Sequence, residues 1–204
     1  MSATRSQRIG IWIITIVMVL GTLGSFFVVI FANKNAQTDY QNSQKAFTEY
    51  QNKVNAQAEE LSGKYFAEFS QYSSLPAAFD AASVTGLATE DLKIGDGEEI
   101  TKDTPYAAYY IGWNPSGKVF DQSIDGEKLK SPIPGGNLIE GWNEGVIGMK
   151  MNGVRVITIP ADKAYGESGS GEDIPPNTPL KFVVMVIPKP AEIPMPDTSG
   201  MMMQ

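Results

Sequence analysis

The sequence contains no cysteine and no histidine. The first absence excludes disulfides, thiol nucleophiles, thiolate metal sites and a lipidated N-terminal cysteine. The second removes the Ser-His-Asp triad and every histidine-ligated metal site. Any chemistry then falls to carboxylates, hydroxyls and backbone groups, and neither a cofactor nor a metal is expected. Basic residues are also few: 16 against 23 acidic ones, for a formal charge of −7 with no long basic run. Phosphate binding needs clustered cations, so nucleic acid is not expected as a partner. Charge of either sign is missing from Ile9 to Phe31. At about 1.5 Å per residue this run covers roughly 30 Å, enough to cross a hydrocarbon core.

Arg5 and Arg8 precede that run, whereas Lys34 and Lys45 beyond it are diluted by Asp39. The asymmetry predicts an uncleaved signal-anchor: residues 1–8 in the cytoplasm, 9–31 across the membrane, and everything from Ala32 onward extracytoplasmic. Ile30 and Ala32 could form a weak cleavage site, which leaves a cleaved leader as the alternative. Gly21 and Ser25, four apart, could let two such helices approach closely.

Proline is missing from Asn35 to Tyr72, a stretch of Gln, Asn, Ala, Lys and Glu that favours a polar helix. Tyr40, Phe47, Val54 and Leu61 recur every seven residues, but Ser43, Tyr50, Gln57 and Lys64 are mostly polar companions, which argues against a strict coiled coil. Residues 32–76 are therefore expected to form a solvated helical stalk. The sharper alternative is a helix that self-associates or cradles a client through Tyr65, Phe66 and Phe69. Ser73-Ser74-Leu75-Pro76 ends it, residues 77–91 read as a connector, and the Pro- and Met-rich residues 189–204 read as a disordered tail.

Residues 92–188 alternate short β-branched or aromatic runs with turns. Gly95-Asp96-Gly97 reads as a turn, Tyr106 to Trp113 as a strand ended by Asn114-Pro115-Ser116-Gly117, and Val119-Phe120 as the start of another. Leu138, Ile139, Trp142 and Val146 recur at helical spacing, which Gly145, Gly148 and Gly153 then break, and Val154 to Ile159 is a strand stopped by Pro160. A Gly/Ser-rich loop from Gly166 to Asp173 precedes a closing strand from Leu180 to Ile187. Several strands with one short helix make an α+β domain with an antiparallel sheet. Trp142 by itself is either core filling or the floor of a pocket.

Five blocks then occur in order: Tyr110-Ile111-Gly112; Gly117-Lys118-Val119-Phe120-Asp121-Gln122-Ser123; Leu138-Ile139-Glu140-Gly141-Trp142-Asn143-Glu144-Gly145; Ile159-Pro160 with Ala164-Tyr165-Gly166; and Ile174-Pro175-Pro176 running into Leu180-Lys181-Phe182. Together they resemble the FKBP-type peptidyl-prolyl isomerases over about Leu92 to Pro188, leaving anchor and stalk uncovered. The resemblance implies an antiparallel sheet wrapped on the short helix, with an aromatic cleft between them. It also implies that Trp142 floors the pocket, that Tyr110, Phe120, Ile139 and Phe182 wall it with Leu138 beside them, and that Ile174 sits at its rim. Asp121, Tyr165 and the Ile139 N–H would supply its polar contacts, with Asp121, Tyr165 and Phe120 as the catalytic set. Lys128-Leu129-Lys130-Ser131 departs from the aromatic residues many members carry before the helix. The Gly166 to Asp173 loop is too short for an inserted chaperone domain.

The function implied is isomerisation of X-Pro bonds in exported or surface polypeptides. The alternative is a non-catalytic peptide-binding or chaperone module that uses the same cleft at the membrane.

Overall fold

The computed structural model describes the backbone of residues 5–197 and the side chains of residues 37–197. Helix α1 runs from Arg5 to Ser70. Strands β1 (Ala88–Lys93), β2 (Tyr106–Trp113), β3 (Val119–Gln122), β4 (Ile124–Asp125), β5 (Lys128–Leu129) and β6 (Ile133–Pro134) follow. Helix α2 (Glu140–Gly145), β7 (Val154–Ile159) and β8 (Leu180–Pro188) complete the order. Residues 54–192 make one compact unit, and residues 1–53 with 193–204 make another. In the latter, Gln44 Nε2 donates to Tyr40 Oη at 2.8 Å and the Phe47 and Tyr50 rings lie 6.3 Å apart. Among the described residues no helix is long and apolar enough to cross a membrane. The anchor expected at 9–31 lies outside the residues whose side chains are described, as does the end of the tail, 198–204.

The larger unit is built on an antiparallel sheet ordered β1-β7-β8-β2-β3, with β6 also paired to β2. The strands expected at Tyr106–Trp113 and Val154–Ile159 form with those limits. Each central strand is apolar on both sides, because successive side chains point to opposite faces and both faces are covered. On one face Tyr106, Ala108, Leu180, Phe182, Val184 and Ile157 pack with Trp142 and Val146 of the α2 region. Close approach of helix and sheet depends on two glycines. A Cβ on Gly141 would meet Ile159 Cγ2 at 2.3 Å, and one on Gly145 would meet Ile157 Cγ2 at 2.5 Å.

The opposite face carries Tyr109, Ile111, Trp113, Val183, Met185 and Ile187, and the last turns of α1 cover it. Phe69 is 0% exposed and Tyr65 5%. Ser62 Oγ accepts from Leu129 N at 2.8 Å, and Glu68 pairs with Lys93. This end of α1 is therefore core and not solvated stalk, and Tyr65 and Phe69 cannot hold a client. The physical reason is that a sheet with two apolar faces needs two covers, and residues 92–188 supply a helix for only one of them.

The expected connector is likewise structural. Its end forms β1, which pairs with β7 through Asp91↔Arg155 and neighbouring partners. Its start lies across the turn after β2, where Trp113 Nε1 donates to Ala77 O at 3.1 Å and Phe79 N to Pro115 O at 3.0 Å. After Pro188 the described chain has no helix or strand, although Gln57 Nε2 donates to Ala191 O at 2.9 Å.

Candidate functional site

The site begins with the register of β2 against its neighbours. Tyr110 pairs with Val184, and Gly112 lies between Asp121 on β3 and Phe182 on β8. Period-two alternation then puts Tyr110 and Phe182 on the face that receives α2. Gly112 contributes by having no side chain, since a Cβ there would stand 2.6 Å from Phe182 and 2.7 Å from Phe120. The rings of Phe120 and Phe182 meet edge to face over it, centroids 5.6 Å apart.

Helix α2 adds the fourth ring. Trp142 is 2% exposed, and its ring meets Phe182 at 5.2 Å and Tyr110 at 5.6 Å, both nearly perpendicular. Edge-to-face pairs suit the quadrupoles of these rings, at about 0.5–1.5 kcal/mol each beyond burial. The indole N–H donates to Tyr106 Oη at 3.2 Å, so it is held within the protein. Four of the expected residues, Tyr110, Phe120, Trp142 and Phe182, thus form one aromatic cluster. Leu138 and Ile139 pack against the same core. Leu138 also lines a cleft of about 490 Å³ beside α2, with Tyr106, Asn143 and Val146.

Ile139 precedes the first turn of α2 with extended backbone angles, φ −59° and ψ 150°, and its amide donates to no acceptor among the described residues. Tyr165 is 39% exposed and its hydroxyl has no intramolecular hydrogen-bond partner there either. These two groups are the free donors of the expected set. Ile174, placed at the rim by the resemblance, is 5% exposed and belongs to the Trp142 core. Its loop is closed through the backbone, with Ser170 N donating to Ile174 O at 2.7 Å.

Asp121 is already engaged. Tyr110 Oη donates to its Oδ2, Gln122 N donates to Oδ1 at 2.8 Å, and Lys130 Nζ stands 4.0 Å from Oδ1. Burial raises the Tyr110 phenol well above its ordinary pKa, and the acceptor bond and charge of Asp121 raise it further. The phenol stays protonated and the carboxylate stays fixed. Sequence reasoning gave Tyr110 a wall role and missed this bond, because residues on two strands meet only through the register.

Three supports were also missed. Ser123, 3% exposed, holds the Tyr110 backbone from both sides: its N donates to Tyr110 O at 2.8 Å, and its Oγ accepts from Tyr110 N at 2.9 Å. Asn114 donates to Asp173 O at 2.9 Å while Lys118 pairs with Asp173, which fastens the 166–173 loop to the turn after β2. Lys163 donates to Glu140 Oε1 at 3.0 Å and Glu144 Oε2 at 2.6 Å, tying the Tyr165 segment to α2. Serine after a pocket acid was the only legible signal among these. No group of acids among the described residues could hold a metal.

A family model described as FKBP-type peptidyl-prolyl cis-trans isomerase matches residues 97–187. An FK506-binding protein of Neisseria meningitidis serogroup B is 41% identical over 103 residues, which cover 50% of this chain and 94% of that protein. FK506-binding protein 4 of Rhizopus delemar is 40% identical, covering 50% of this chain but only 27% of its own length. A peptidyl-prolyl cis-trans isomerase of Saccharomyces cerevisiae is 38% identical, covering 50% of this chain and 25% of its own. This chain thus spans about a quarter of the two fungal relatives and nearly all of the bacterial one. Carrying the aromatic cluster and a match to nearly the whole Neisseria protein, the chain belongs to the FKBP-type peptidyl-prolyl cis-trans isomerase family.

Proposed function

We propose that this protein accelerates cis–trans isomerisation of X-Pro bonds in exported or surface polypeptides, with the Trp142 cluster receiving the prolyl ring. The observation that carries the reading is the four-ring cluster bordered by one fixed carboxylate and two free donors. Rotation about X-Pro breaks amide resonance against a barrier of about 18–20 kcal/mol and takes tens to hundreds of seconds unaided. Resonance places negative charge on the carbonyl oxygen, which water stabilises in the planar state. An apolar aromatic site that strips this water favours the twisted amide by comparison. A rate gain of about a million requires roughly 8 kcal/mol of such differential binding. No proton is transferred, so the lack of histidine and cysteine is no obstacle.

In this reading Phe120, Tyr110 and Phe182 grip the ring over Trp142, and Ile139 with Leu138 bounds the preceding residue. Tyr165 Oη and the Ile139 N–H donate to substrate carbonyls. Asp121, held by Tyr110 and Gln122, polarises the bound peptide from the side. The refolding rate of a protein limited by one X-Pro bond tests this: substoichiometric protein accelerates it, and Phe120→Ala with Asp121→Ala removes the effect. A correctly folded double variant with undiminished rate would refute the assignment.

The uncharged run at 9–31 behind Arg5 and Arg8 supports a place in a membrane, with the N-terminus cytoplasmic and residues 54–192 on the far side. Slow X-Pro steps in newly exported chains would then be the target. Resistance of the protein to alkaline extraction from membranes, with the 54–192 unit accessible to protease only from outside, is the expected result.

A further inference from the structure

We propose that the groove between the end of α1 and β5 is a second subsite, which takes the extended polar stretch of the client chain flanking the bound proline. The inference rests on the isomerase reading and deepens it. Asn55, Glu59 and Ser62 lie at i, i+4 and i+7, so they share one face of α1. That face and the segment Lys128-Leu129-Lys130-Ser131 enclose a groove of about 530 Å³. The Ser62 hydroxyl is spent on Leu129 N, which fixes the two walls together. Asn55, Glu59 and Ser131 have no intramolecular side-chain partner among the described residues.

Continuity with the prolyl site comes through Lys130. Lys130 is one of the residues lining the groove, its Nζ donates to Gln122 O at 2.9 Å, and the same Nζ stands 4.0 Å from Asp121 Oδ1. A chain leaving the aromatic cluster past Asp121 therefore meets Lys130 and then the groove. The walls offer the carboxylates of Glu59 and Asp125, the latter 4.0 Å from Lys128 Nζ, with an amide, a hydroxyl and ammonium groups, which match the donors and acceptors of an extended peptide with polar side chains. An apolar segment would leave these groups unpaired, at a cost. The groove exists only because α1 docks on the sheet, so it makes the helix end part of client recognition.

The experiment compares two substrates with full-length protein: a tetrapeptide with one X-Pro bond, and an unfolded protein whose refolding is limited by one X-Pro bond. Asn55→Ala with Glu59→Ala changes only exposed side chains without partners. The expected result is a KM about fivefold higher for the protein substrate, with its kcat and the tetrapeptide kcat/KM unchanged. An unchanged KM for the protein substrate, or an equal loss on both substrates, would overturn the subsite. If the unaltered protein turned over neither substrate, the isomerase reading would fail first, and the subsite with it.

Discussion

Phe69, in the last turn of α1, and Tyr109, in the middle of β2, lie with ring centroids 6.2 Å apart, and neither has any exposed surface. Forty residues of chain separate them, yet they form one core. The aromatic cluster on the other face of β2 is supported from behind by this contact. Helix end, sheet and aromatic cluster therefore pack within one compact unit.

Removing that support should be costly. Phe69→Ala is expected to lower stability by about 3–5 kcal/mol, the range for a buried phenylalanine. A chain starting at Leu92 would lose β1, Tyr65 and Phe69 together and should bind a hydrophobic dye, whereas one starting at Val54 should not. Chemical denaturation of the three proteins checks this.

The Tyr109 hydroxyl is buried without a hydrogen-bond partner, and burial beside Tyr65 pushes its pKa up to about 12. An unpaired buried hydroxyl costs about 1–3 kcal/mol. Tyr109→Phe should therefore stabilise the protein by about 1 kcal/mol, read as a higher denaturation midpoint with an unchanged slope. A lower midpoint would show that the hydroxyl is satisfied.

Raised phenol values also fix a pH dependence. Tyr106, Tyr109 and Tyr110 are all shifted upward, chiefly by burial. The protonated phenol is the form favoured by folding, so their contribution is complete below the ordinary tyrosine value of about 10. It declines as pH rises through the folded values, because the unfolded phenols release protons first. Stability should fall above about pH 10, and absorbance titration should show late-ionising tyrosines. Tyr110→Phe should reduce that alkaline loss.

Gly112→Ala tests the packing of the rings. The new methyl meets both Phe120 and Phe182, so overpacking of about 1–3 kcal/mol is expected. If both rings grip the prolyl ring as proposed, kcat/KM should fall by at least tenfold, about 1.4 kcal/mol or more of transition-state binding. Unaltered activity would mean that the rings do not touch substrate.

Arg155 joins three elements. It forks onto Asp91 at 2.6 and 3.0 Å and donates to Gly145 O at the end of α2 and to Ile147 O just after it. Arg155→Met should destabilise by about 3 kcal/mol, since two carbonyls and a carboxylate lose a charged donor. Arg155→Lys should recover only part, because an ammonium cannot reproduce the fork. Thermal unfolding of the two variants distinguishes these outcomes.

The sequence by itself determined the central strands and the short helix, and the family resemblance picked out the four residues whose rings cluster. β-branched runs between turns set Tyr106–Trp113 and Val154–Ile159, and alternation set which residues share a face. Local preference and period carry such information, and they need no partner to be read. Tertiary structure decided what depends on meeting. A helix rich in Gln and Asn reads as solvated, and only the exposed apolar back of the sheet makes Tyr65 and Phe69 core. Asp91 looks like a linker acid until β1 pairs with β7 and brings it to Arg155. Tyr110 reads only as a wall residue until register also places its hydroxyl on Asp121. Contacts between distant residues are set by register and docking, whose energies arise only once both surfaces exist.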